Sequence, residues 1–234
     1  MKRVAGLLLP LLALACAPAP ERPVPAAAPP DLHEARYRAA AMAGRAVYRI
    51  DREHSVAWVV VRRGGPLARL GHDHVVASHA LEGRVLWPAP AEGGRADVRV
   101  DLRALVVDEP ALRRRLGLGE PLDSAAVAGT ARNMHEKVLE SARHPYLVLR
   151  LRQVSAAAMA GGRVEGRLTL HGVTRPVVLE VQAHREEDVL HLSGRFGIRQ
   201  TGFGITPFSI LGGALRVQDD LEGGFEITAR RWRG

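Results

Sequence analysis

An all-β, mainly antiparallel fold, built as a barrel or a sandwich, is predicted for this chain by three observations. Apolar and polar residues alternate in segment after segment, most cleanly at Val98, Val100 and Leu102 against Arg99, Asp101 and Arg103. Short Gly-containing breaks separate about eight such segments. The period turns helical in a single excursion between Glu109 and Arg143, which does not suit an alternating α/β arrangement.

The 234 residues, 47% hydrophobic and 25% charged, suffice for one sizeable core. The first fifteen read as an export signal: Met1-Lys2-Arg3 is basic, residues 4–14 are apolar, and Ala15 precedes the single cysteine, Cys16. Leu12-Ala13-Leu14-Ala15-Cys16 resembles the lipobox of bacterial lipoproteins, which makes Cys16 the predicted lipidation site and membrane anchor. With no second cysteine a disulfide is excluded. The formal charge of +8 is almost entirely arginine, because Lys2 and Lys137 are the only lysines. Those arginines are scattered among acids on presumed outward strand faces, so no nucleic-acid partner is predicted.

Residues 16–45 are assigned to a Pro- and Ala-rich tether carrying a short helix over residues 31–43, with Asp31 as N-cap, Glu34 in a capping box and Gly44 as the stop. The barrel or sandwich domain is placed at residues 46–234. Residues 47–51 form a short strand. Residues 55–63 form a second, with Val56, Trp58 and Val60 on one face and Ala57, Val59 and Val61 on the other; being apolar on both faces, it is covered on both sides or lines a cavity. Residues 75–87 read as one long strand with Val75, Ala77, Leu81, Val85 and Trp87 sharing a face. In the excursion, Pro110 opens a helix that ends at Gly117, and a second helix between Thr130 and Arg143 carries Met134, Val138 and Leu139 on one side. Strands resume at residues 146–154, 163–170, 173–183, 189–200, 215–217 and 225–229, with Glu222-Gly223-Gly224 read as a turn or bulge. The apolar, Gly-rich stretch 202–213 is a long loop expected to pack across an opening.

Chemistry is sparse. In Gly71-His72-Asp73-His74, the histidines project to the same side of a strand and are the candidate metal ligands, while parity turns His79 to the opposite face. A polar turn is the competing reading of that tetrapeptide. No Gly-x-Ser-x-Gly elbow, Walker pattern or dinucleotide fingerprint is present, so no catalytic residue and no cofactor are assigned. His171 sits beside a turn glycine and reads as a strand-end residue capping backbone groups.

Three stretches together resemble one family: Tyr48-Arg49-Ile50-Asp51-Arg52-Glu53-His54-Ser55, Leu168-Thr169-Leu170-His171-Gly172-Val173-Thr174-Arg175-Pro176-Val177, and Phe203-Gly204-Ile205. Over about residues 46–231 the chain is similar to the YceI-like, polyisoprenoid-binding proteins. The resemblance implies an extended, eight-stranded, lipocalin-like β-barrel in the cell envelope or periplasm, binding rather than converting an amphiphilic lipid. An isoprenoid or quinone-like tail is the implied ligand. The lining positions that follow are Val56, Trp58, Val60, Val98, Val100, Leu168, Leu170, Leu192 and Phe196, with Phe203 and Phe208 at a mouth or lid. The alternative is a metal-dependent enzyme or metal-binding protein built on His72 and His74. Nothing in the sequence sets an oligomeric state.

Overall fold

Alternation at period two does become strand in every predicted segment, and the ladder between the first and last strands closes the sheet on itself. A computed structural model describes residues 28–89 and 92–234; the predicted export signal, Cys16 and the first part of the tether lie outside them. In chain order the strands are β1 (Val47–Val61), β2 (Arg63–Gly64), β3 (His74–Ser78), β4 (Leu81–Leu86), β5 (Gly94–Asp101), β6 (Val106–Val107), β7 (Tyr146–Val154), β8 (Ala160–Leu170), β9 (Val173–Glu186), β10 (Val189–Arg199), β11 (Ser209–Ile210), β12 (Leu215–Val217) and β13 (Asp220–Arg231). Eight of them pair in the order β13-β10-β9-β8-β7-β5-β4-β1, and β1 pairs back to β13. This is a closed antiparallel barrel, which removes most exposed edges.

On the edge away from β13, the first strand serves two neighbours. Its beginning, Val47 to Arg49, pairs with β4, and its end, Ala57 to Val61, pairs with β3, which carries β6. Between these halves lies a bulge: Asp51 opposes Thr228 and Val56 opposes Glu226, so residues 52–55 face the single residue 227. An odd surplus of three residues reverses side-chain parity along the strand. Ile50 therefore points inward with Leu81, Val98 and Val100, and beyond the bulge Ala57, Val59 and Val61 point inward in turn. The predicted inward set Val56, Trp58 and Val60 is corrected accordingly: Val56 and Trp58 pack outside the barrel with Val75, Ala77 and Leu112.

The predicted single strand over residues 75–87 is two strands, broken at His79-Ala80, and the break shifts parity so that Val75 and Ala77 face outward while Leu81 and Val85 face the cavity. The excursion holds α2 (Pro110–Arg115), ended by Gly117 at φ 68°, and α3 (Ser124–Asn133), which runs into a π-helical turn, Met134–Val138. This second helix starts six residues before the predicted Thr130, because the Asp123 carboxylate accepts from the N–H groups of Ala125 and Ala126. Glu222-Gly223-Gly224 is no turn but lies within β13. Its glycines make room for aromatic rings: a Cβ on Gly223 would collide with Phe196, and one on Gly224 would sit 2.6 Å from the Trp58 ring.

The helix before the barrel, α1 (Glu34–Met42), is also positioned differently from expectation. His33 occupies the N-cap in a left-handed conformation and makes no side-chain cap, while Asp31 accepts from the His33 N–H. More importantly, α1 is docked rather than tethered. Tyr37, 1% exposed, inserts beside Val47 and Leu86 and donates its hydroxyl to Asp97, and Arg99 donates to the Pro30 carbonyl. The folded body thus begins near residue 30, ahead of the predicted boundary at residue 46.

A candidate ligand cavity

Side chains projecting inward from the barrel strands do not meet at its centre. They enclose a cavity of about 370 Å³, within the range of small-molecule sites. Its wall is nearly all aliphatic, contributed by alternate residues such as Val98 and Val100 on β5, Leu147, Leu149 and Leu151 on β7, and Val177, Leu179 and Val181 on β9. One end is lined by Pro88, Arg95 and Met159. At the other, Met134, Val138 and Leu139 come down from the excursion, and Ile205 and Phe208 from the loop between β10 and β11.

Among the predicted lining positions, Val98, Val100, Leu168, Leu170, Leu192, Phe196 and Phe208 lie on this wall. Trp58 touches it, although its ring lies on the outer face with the Arg115 guanidinium 4.9 Å from the ring centroid. Val56 and Val60 are off the wall, as the bulge dictates. Phe203 is also off it: 3% exposed, it packs among Leu102, Leu168, Leu170 and Ile205 and braces the loop. The loop therefore does cross one end of the barrel, with Phe208 at the cavity and Phe203 as its buried foot. Ala57, Val59, Val61, Leu147 and Leu149 were missed by sequence reasoning; alternation could have found the β7 pair, whereas those of β1 needed the bulge.

Polar groups on the wall are few, and His74 has the most developed support. Its Nδ1 is 2.6 Å from Asp108 Oδ2, which assigns the proton to Nδ1 and leaves Nε2 as the nitrogen available to a ligand. Asp108 also accepts from the Val75 N–H at 3.0 Å and from Arg113 Nη1 at 2.6 Å. Arg113, 2% exposed, donates further to the carbonyls of Asp73, Leu118 and Glu120. Burial opposes ionisation of Asp108, but the hydrogen bonds from His74, Val75 and Arg113 outweigh it and hold the carboxyl below its ordinary pKa. Thr130 and Asn133 of α3 line the same cavity. Asp108 and Arg113 escaped sequence reasoning because two charges across a helix start carry no sign of burial.

The candidate metal pair does not assemble in this arrangement. His72 is exposed, His74 is turned to Asp108, and His79 pairs at 3.0 Å with Glu109. Among the described residues, neither His72 nor His74 belongs to a group of three ligand-bearing side chains close enough to share an ion.

The family model of the YceI-like domain matches residues 48–229. No curated protein sequence matches the chain significantly. Among solved structures, BcnA of Burkholderia cenocepacia is similar with a TM-score of 0.57 at 15% identity, covering 76% of this chain and 98% of that one. A polyisoprenoid binding domain from Saccharophagus degradans, implicated in plant cell wall breakdown, gives 0.53 at 15% identity, covering 79% and 98%. At such identities these likenesses establish the fold.

Proposed function

The chain belongs to the YceI-like family, and on that premise we propose that it is an exported cell-envelope protein that holds an amphiphilic lipid of isoprenoid or quinone-like type inside its barrel. The observation that carries this reading is the aliphatic cavity, whose wall presents more inward apolar surface than its own packing consumes. Each methylene moved from water into such a lining contributes about 0.8 kcal/mol, so a long chain is held with little polar recognition. His74, Thr130 and Asn133 then meet the polar head at the excursion end, with Asp108 fixing the imidazole. The Saccharophagus degradans domain, described as polyisoprenoid-binding, supports the ligand class. The basic and apolar N-terminus with Cys16 supports export and lipid anchoring. Binding rather than catalysis is the role this wall suits, since His74, its best-supported polar group, faces no adjacent nucleophile among the described hydrogen-bond partners.

The test is purification from the native host, followed by mass spectrometry of the lipids extracted from the protein. A prenyl lipid at close to one per chain is the expected result. Leu192→Trp, which fills the cavity, is expected to lose that lipid while keeping its far-UV circular dichroism. Lipid-free protein, or equal lipid on a folded Leu192→Trp variant, defeats the carrier reading.

A further inference from the structure

The turn between β8 and β9 holds a histidine that the cavity does not use. His171 and Gly172 form this two-residue turn with φ of 52° and 77°, the left-handed pair of a tight hairpin. The turn directs the His171 ring at the end of the helical excursion, where Glu140, at φ 43°, and His144 flank a single turn closed by the His144 N–H on the Glu140 carbonyl, just before Pro145. His171 Nε2 lies 3.5 Å from Glu140 Oε2, and His144 Nε2 lies 3.9 Å from the same oxygen. The two imidazole centroids are 4.2 Å apart. One ligand atom from each of the three residues lies within 4.8 Å of the other two.

These are not hydrogen-bond distances. A charge-assisted imidazole–carboxylate contact closes to about 2.8 Å, and neither histidine does so. His171 Nε2 is instead buried without a hydrogen-bond partner, contrary to the backbone-capping role expected from sequence. Ligands at about 2.0–2.1 Å from a tetrahedral zinc ion stand roughly 3.4 Å apart, close to the two separations seen here. Two imidazoles and one carboxylate are also a donor set suited to zinc, with water completing the fourth position. Arg143, 3.8 Å from Glu140 Oε2, is exposed and lies outside the set.

We propose that Glu140, His144 and His171 form a binding site for a zinc-type divalent cation. The ion fastens the excursion, which brings Val138 and Leu139 to the cavity, onto the hairpin that carries Leu168 and Leu170. The site does not depend on the lipid reading.

The experiment uses the full chain, stripped with a chelator and titrated with Zn²⁺ by calorimetry and with Co²⁺ by visible absorption. One equivalent of zinc per chain, a four-coordinate cobalt spectrum and a raised thermal midpoint are expected. His171→Ala, His144→Ala and Glu140→Gln are each expected to weaken zinc binding by more than roughly tenfold, a loss that even outer-shell substitutions can cause. The double variant His72→Ala, His79→Ala, at two exposed histidines, is expected to bind as the wild type does. Absence of stoichiometric uptake by the wild type, or loss of uptake only in the His72, His79 variant, overturns the proposal. If circular dichroism shows either histidine variant unfolded, Glu140→Gln decides, because Glu140 is half exposed; unchanged affinity there also overturns it.

Discussion

Gly223 and Phe196 face each other across the β10–β13 ladder inside the barrel, and their contact shows how one missing Cβ shapes the wall. Alanine at 223 would meet the Phe196 ring and, at 2.7 Å, the Trp58 carbonyl oxygen, so Gly223→Ala is expected to destabilise by about 1–3 kcal/mol in urea unfolding. Gly202→Ala is the control: its Cβ meets nothing within 4 Å, and a change within about 0.5 kcal/mol is expected. Asp108 is the corresponding electrostatic case. Asparagine tolerates its φ of 57° but removes the charge facing Arg113, so Asp108→Asn is expected to lose about 3–5 kcal/mol at neutral pH. The carboxyl pKa is lowered in the folded state, so its stabilisation is complete above the unfolded value, about 3.9, and fades as pH falls through the folded value. The gap between wild type and variant, followed by urea unfolding across acidic pH, should therefore narrow only below about pH 4.

At the scale of elements, α1 is held by a buried phenol rather than by an apolar stripe, since Tyr37 is its single buried residue. Tyr37→Phe removes a hydrogen bond to a carboxylate and leaves Asp97 to Arg152, at 2.6 Å; a loss of about 1.5–3 kcal/mol is expected from chemical denaturation. Burial, reinforced by Asp97, pushes the phenol far above its ordinary range. A raised pKa contributes stability below the unfolded value, about 10, and loses it as pH climbs toward the folded one. Alkaline unfolding curves should thus converge for wild type and Tyr37→Phe. Within β1 the governing feature is the bulge at residues 52–55, which decides whether odd or even residues face the cavity.

For the molecule as a whole, an empty apolar cavity is a source of instability and an occupied one is not. A prenyl lipid at a hundred times its dissociation constant is expected to add about 2.7 kcal/mol to the delipidated protein, read as an upward shift of its thermal midpoint. Leu192→Trp should show little of this shift. Its apo form should also be closer in stability to the loaded wild type than the apo wild type is.

Alternation marked out the strands of the barrel and part of the cavity wall, because inward and outward residues on a half-buried strand must differ in polarity, and a change of period marked the helical excursion. Val98, Val100, Leu168, Leu170, Leu192 and Phe196 were legible for that reason. The tertiary structure decided what alternation cannot encode. On a strand apolar on both faces, the bulge, set by pairing with β13, chose Ala57, Val59 and Val61 over Val56 and Val60. Likewise Tyr37 with Asp97, His74 with Asp108, and His171 with Glu140 and His144 are brought together by the docking of α1, by the β3–β6 pairing and by the approach of the excursion to the β8–β9 turn, over sequence separations at which local pattern carries no information.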